Sequence, residues 1–312
     1  MRVGCRKGWV ALFLILMPLL CGCAGQQPKP TGEYAYIFDL RLIDNTVYWL
    51  GKTAGTYELF RGNATDKESI MRFPGITGIA FCDASDCYLY SAEGVLSAYY
   101  PASDRLELVC SLQAVSILCA TENYVLASSE TENIRIKIKN GSTRALENMP
   151  PADARILDIY GNSVIYWDES KSAICRFDCD RDSVSVLYSR EPSTSSVMVT
   201  GILFDGSLYY AESQGGLNEI SNKSESAVNS HILSKSVVAT ARTDTGMVLA
   251  AKEASDIVFY ILTDEEALTE LAVWHDAKYV VNGSCLLCAS SNKIACAVTS
   301  QEEIFEFEFL AG

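Results

Sequence analysis

A unit of about 40 residues recurs seven times in this chain and limits what it can fold into. Each unit has an apolar run, a turn made of Asn, Asp or Gly, and a second short aromatic or aliphatic run. The turn-and-strand segments are DNTVYW (44–49), SDCYLY (85–90), ENYVL (122–126), GNSVIYW (161–167), DGSLYY (205–210), TGMVL (245–249) and NGSCLL (282–287). With Asn45, Asp86, Asn123, Asn162, Gly206, Gly246 and Gly283 as markers, the spacings are 41, 37, 39, 44, 40 and 37 residues. That is the period of propeller blades.

Each marker follows an apolar run, from Tyr36-Ile37-Phe38 in the first unit to Tyr279-Val280-Val281 in the seventh. About ten residues later a third strand begins, such as Ile134-Arg135-Ile136-Lys137-Ile138. A fourth run alternates polar and apolar, as in Val184-Ser185-Val186-Leu187, the pattern of an outer strand wetted on one side. A four-stranded sheet with two apolar faces cannot cover either alone, and blades packed in a ring cover both. The expected fold is therefore all-β: a propeller of about seven four-stranded blades, with six as the alternative, over residues 34–312. The segment 302–310 reads as the strand that completes the last blade.

The N-terminus is of a different kind. Arg2, Arg6 and Lys7 precede an apolar run from Trp9 to Leu20. Twelve helical residues span about 18 Å, too short for a hydrocarbon core of about 30 Å. This is the pattern of a signal peptide, residues 1–22. Leu20-Cys21-Gly22-Cys23 closes it and resembles the lipobox of bacterial lipoproteins. The resemblance implies a lipid-modified Cys23, with palmitate among its chains, and a protein held on the extracytoplasmic face of the cell membrane. Two acyl chains suffice for stable anchoring. Residues 23–33 carry the lipidated cysteine and a polar, Pro-containing tether.

A second resemblance lies in the repeats. LSAYYPASDRLELV (96–109) and AICRFDCDRDSVSVL (173–187) are similar to the third-strand, turn and fourth-strand unit of bacterial envelope propellers, including TolB-like and YVTN-type repeats. Those families imply a fold and a binding role rather than a reaction.

The chain carries 25 Lys and Arg against 39 Asp and Glu; without the three basic residues of residues 1–22 the balance is 22 against 39, a net charge of −17. Such a surface repels nucleic acid. Nine cysteines follow Cys23, an odd number. Most sit among aliphatic residues, where Cys packs as a small hydrophobe, and they are expected as buried free thiols. Cys82 and Cys87 flank a short turn, so a hairpin disulfide between them is geometrically possible. Cys285 and Cys288 form a C-x-x-C, but three residues of strand put them on opposite faces. Asp178, Asp180 and Asp182 alternate as in a calcium loop, yet Ser183 and Ser189 occupy the positions of its Gly and Glu, so no metal is expected there. The only histidines are His231 and His275, and no nucleophile–base, zinc, phosphate-loop or dinucleotide motif is present. No cofactor is expected, and catalytic activity stays open.

In a propeller the turns between second and third strands gather at one end. Here they carry Glu93, Glu130, Glu132, Asp168, Glu169, Glu212, Glu253 and Asp256, an acidic rim supplied by five consecutive blades, with Trp49, Trp167 and Tyr210 at strand ends nearby. The first blade has Lys52 instead. The rim reads either as a binding face for a basic protein or peptide or as the solvated edge of an acidic protein. The sequence thus points to a membrane-anchored binding or scaffold protein. The alternative is a glycan-processing or glycan-sensing propeller, which needs Asp or Glu converging near the axis.

Overall fold

The structure is a computed structural model that describes residues 36–53, 56–63, 66–112, 115–129, 131–191, 197–213, 215–221, 228–243, 246–263, 268–277, 285–298 and 303–309. Residues 1–33, with Cys23 and the tether, lie outside them, as does Glu130.

The chain folds as a seven-bladed, all-β propeller, each blade an antiparallel meander numbered outward from the axis. Blade 1 is β1 (Tyr36–Ile43), β2 (Thr46–Thr53), β3 (Thr56–Gly62) and β4 (Lys67–Phe73). Blade 2 is β5 (Ile76–Cys82), β6 (Cys87–Ala92), β7 (Val95–Tyr100) and β8 (Arg105–Ser111). Blade 3 is β9 (Ser116–Ala120), β10 (Tyr124–Ser128), β11 (Asn133–Lys137) and β12 (Thr143–Leu146). Blade 4 is β13 (Arg155–Tyr160), β14 (Ser163–Asp168), β15 (Ala173–Asp178) and β16 (Ser183–Ser189). Blade 5 is β17 (Met198–Phe204), β18 (Ser207–Glu212), β19 (Leu217–Ser221) and β20 (Val228–Leu233). Blade 6 is β21 (Ser236–Arg242), β22 (Gly246–Glu253), β23 (Asp256–Thr263) and β24 (Leu268–Trp274). Blade 7 shows three strands among the described residues: β25 (Cys285–Ala289), β26 (Lys293–Val298) and β27 (Glu303–Glu308). The one helical element among the described residues is a single 3-10 turn, Asp83–Ser85.

Seven apolar clusters fill the seven seams between blades. The second strand of a blade feeds both of its seams, because successive side chains point to opposite faces. In β2, Val47 and Trp49 pack towards blade 7 while Tyr48 and Leu50 pack towards blade 2. In β22, Met247, Leu249 and Ala251 meet blade 5 while Val248 and Ala250 meet blade 7. This is why the second strands read as unbroken apolar runs. The fourth strands touch a neighbour on one side only, and Leu108 and Val186 there are 67% and 57% exposed. The ring closes where β1 packs against β25 and β26.

The last blade departs from the sequence reading. Cys285–Ala289 is the innermost strand, since it packs against the innermost strands β1 and β21. Its turn into the next strand is therefore at Ser290–Asn292, not at Asn282-Gly283. Residues 293–298 are then the second strand, and 303–308 the third rather than the fourth. Two turn-like segments sit only eight residues apart there, and composition alone favours the wrong one. Tyr279-Val280-Val281 lies outside the described residues.

Candidate functional site

The innermost strands of all seven blades enclose a cavity of about 940 Å³ on the axis. Leu40, Ile79, Leu118, Leu157, Ile202 and Leu286 contribute to its walls, and so do the charged Asp39, Arg41, Asp158 and Arg242. It reaches the end where first strands turn into second strands, for Asp83, Asp86, Thr243 and Ser290 border it there.

Two ion-pair clusters cross this wall. In the first, Arg41 Nε donates to the Asp39 carboxylate at 3.0 Å, and Nη1 reaches Asp83 Oδ1 in blade 2 at 3.1 Å. The guanidinium lies over the Phe81 ring, 4.7 Å from its centroid. Burial works against the charge of Arg41, but Asp39 and Asp83 outweigh it and hold the pKa above the ordinary value. Beside them, Asp86 is pushed above the usual carboxylate range by burial and by the charges of Asp44 and Asp83. In the second cluster, Arg242 of blade 6 reaches past blade 5 to Asp158 of blade 4, Nη2 to Oδ2 at 2.6 Å. The same Nη2 donates to the Leu203 carbonyl at 2.5 Å, and Leu203 N donates back to Asp158 at 3.3 Å. Burial raises the Asp158 pKa, and Arg242 only partly offsets that. Thr200 and Thr240 hydrogen-bond to each other between blades 5 and 6.

None of these residues was a sequence candidate. A signal existed: Asp39 and Arg41 interrupt YIFDLRLI, and Asp158 interrupts RILDIY, in strands that otherwise read as core.

The expected acidic rim lies at the other end, where second strands turn into third strands. Glu93 and Glu169 are exposed there, and Glu93 holds a positive φ of 50° in its turn. Most of the rest are engaged by neighbours. Asp168 is 3% exposed; Lys171 Nζ at 2.7 Å and Ser170 Oγ at 2.6 Å bind its carboxylate. Burial alone would raise its pKa, but these bonds hold it below the usual range. Glu212 pairs with Arg190, whose guanidinium lies over Trp167. Glu253 pairs with Lys235 and accepts from the Tyr260 hydroxyl at 2.9 Å. Asp256 accepts from Asp276 N and contacts His275 Nδ1, both at 3.0 Å. Arg190 and Lys235 come from the connections entering blades 5 and 6, so these pairs tie each connection to the blade that follows it. The nearby aromatics are packed: Trp49 is fully buried on Phe60, and Tyr210 stacks on Tyr188.

The three alternating aspartates each hold a different contact. Asp178 accepts from the backbone N–H of Asp180 and Arg181, both at 3.0 Å. Asp180 accepts from the Tyr124 hydroxyl and from Asn162. Asp182 accepts from the backbone N–H of Glu147 and Asn148 in blade 3. Asp178 holds its own turn, Asp180 and Asp182 join blades 3 and 4, and the three do not converge on one point.

Ring, seams and axial cavity define the class: a seven-bladed β-propeller. No protein-family model matches the sequence, and no curated protein is similar to it. Solved structures match at low identity. YCF48 from Cyanidioschyzon merolae is 12% identical with a TM-score of 0.53, the match covering 90% of this chain and 97% of that one. The β-propeller domain of Cps50 (Swd1) from Myceliophteria thermophila is 11% identical with a TM-score of 0.51, covering 89% and 98%. PorZ, a surface component of the type-IX secretion system of Porphyromonas gingivalis, is 13% identical with a TM-score of 0.49; the match covers 90% of this chain, which spans only 36% of the length of PorZ. At these identities the likeness to YCF48 and to the Cps50 domain establishes the fold alone.

Proposed function

We propose that this chain is a lipid-anchored extracytoplasmic binding or scaffold protein that engages a protein or peptide partner at the cavity end of the propeller. One observation carries the reading: a ring with an axial cavity of about 940 Å³ whose walls are part aliphatic and part charged. An aliphatic or aromatic side chain of a partner fits the walls, and a neighbouring basic group meets Asp83 and Asp86. Concave, mostly apolar sites with a few placed polar groups are the usual binding sites of such folds. The acidic rim contributes less, because neighbouring side chains already engage Asp168, Glu212, Glu253 and Asp256.

The address rests on Cys23 and its upstream context. A Cys23→Ser chain is expected to lose incorporation of a palmitate analogue and to move from membranes to the soluble fraction. For the partner, Ala241→Trp fills the cavity, whereas Glu93→Lys reverses charge at the opposite end. Affinity capture from envelope membranes should lose its partner with the first variant and keep it with the second. Equal recovery by both would reject the cavity end as the docking site.

A second reading has one observation in its favour: Asp39, Asp83, Asp86 and Asp158 all border the cavity. Glycan chemistry or sensing there predicts that cell-wall oligosaccharides bind the purified chain and that Asp86→Asn abolishes it. Calorimetric titration with such fragments separates the two readings.

A further inference from the structure

All nine cysteines of the described residues are thiols, and seven of them are buried. Four form two close pairs, each within one hairpin. Cys82 ends β5, Cys87 begins β6, and the two are direct cross-strand partners around the Asp83–Ser85 turn. Direct antiparallel partners place their Cβ atoms about 4.5–5.5 Å apart, close to what a disulfide needs. The two thiols interact: the hydrogen bond from Cys87 draws the Cys82 pKa down to about 7, and the Cys87 thiol is raised in turn. In blade 7, Cys285 lies opposite Val298 and Cys296 opposite Leu287, so the two are diagonal neighbours on one face. Their sulfurs are 3.1 Å apart.

The other five are placed differently. Cys288 donates to the carbonyl of Ala295 at 3.6 Å. Cys119 and Cys179 come from different blades and share an apolar seam. Cys175 packs in that same seam, and Cys110 stands half-buried against the seam of blades 2 and 3.

We propose that Cys82–Cys87 and Cys285–Cys296 are two disulfide sites, closed when the chain meets a disulfide-bearing oxidant. In each closure two S–H bonds break and one S–S bond forms. Exchange through a mixed disulfide passes two electrons and two protons to the oxidant's disulfide, whose S–S bond breaks to give two thiols. Each pair is local in sequence, so it can close within its own hairpin before the ring is complete. The two sites lie in blades 2 and 7, which flank blade 1 on either side of the ring closure. The C-x-x-C pair Cys285 and Cys288 is not one of them.

The test needs no assumption about export. The purified full chain is held in a glutathione redox buffer just below its unfolding midpoint, where local opening admits the reagent. It is then quenched in acid, denatured, alkylated and mapped by mass spectrometry. The expected result is five alkylated thiols of the nine downstream of Cys23, with cross-linked peptides joining 82 to 87 and 285 to 296. Cys87→Ser and Cys296→Ser should each remove only their own cross-link. A free thiol at any of the four positions in the wild-type chain, or a bridge between other cysteines, overturns the proposal.

Discussion

Replacing Arg242 by Met removes the cation that joins blades 4, 5 and 6 at the axis and leaves Asp158 facing the cavity wall. At an effective dielectric of about 20, unit charges about 4 Å apart attract by about 4 kcal/mol. Both side chains reach some solvent, Arg242 at 27% exposure and Asp158 at 12%, which cuts the attraction to about half. Losing the hydrogen bond to the Leu203 carbonyl costs about 1 kcal/mol more. The expected loss is therefore about 2–4 kcal/mol, at the lower edge of what breaking a buried pair costs. For a domain of this size that is a fall in Tm of about 4–10 °C. The pH dependence follows from Asp158, whose folded-state pKa already lies above its unfolded value because of burial. Such a group binds its proton more tightly when folded, so stability falls as pH rises from the unfolded pKa through the folded one. Without Arg242 the folded pKa climbs further and that window widens upward. The Arg242→Met chain should therefore recover part of its deficit between pH 8 and pH 5, and Asp158→Asn should rescue it in a double-mutant cycle. Thermal melts by circular dichroism at both pH values measure this. A deficit below about 0.5 kcal/mol at pH 8, or strictly additive single variants, would refute the reasoning.

Three further substitutions test the seams. Gly78→Ala places a Cβ 2.5 Å from Ile117 N, forcing β5 away from β9 at the axis; a loss of about 2 kcal/mol or more in urea unfolding is expected. Trp49→Ala empties a fully buried site stacked 4.1 Å from Phe60 and drops a bond from Nε1 to the Gly62 carbonyl, for about 3–5 kcal/mol by the same assay. Asp182→Ala frees the N–H groups of Glu147 and Asn148 and should cost about 1 kcal/mol, with faster amide exchange confined to those two positions.

The blades were legible because each second strand must satisfy two seams at once, and a run such as Val164-Ile165-Tyr166-Trp167 has few other uses. Register failed only in blade 7, where two turn-forming segments compete and the choice depends on which strand meets β1 and β21 across the ring. The state of the rim was not legible, for a related reason. The side chains that engage Glu212, Glu253 and Asp256 are 22, 18 and 19 residues away in sequence. Their proximity exists only once the fourth strand has brought the chain back to the end where the rim lies. Sequence spacing shows the acids in series, but the pairing that decides their availability is tertiary.

The axial charges teach the complementary lesson. A propeller needs its second and third strands for the seams, and those positions leave little choice of residue. The innermost strands have one side towards the axis, where nothing in the fold demands a particular side chain. Charged groups placed there must be paired at once, since an isolated buried charge costs several kcal/mol. Asp39 with Arg41 and Asp158 with Arg242 meet that condition. Apolar residues could fill the same positions with no pairing to arrange, and replacing buried ion pairs in that way is often neutral or stabilising. Seam packing therefore does not account for the charges on the axis. The proposed binding role gives them a use, which favours the cavity end over the rim, where the longer series of acids is largely bound to its own connections.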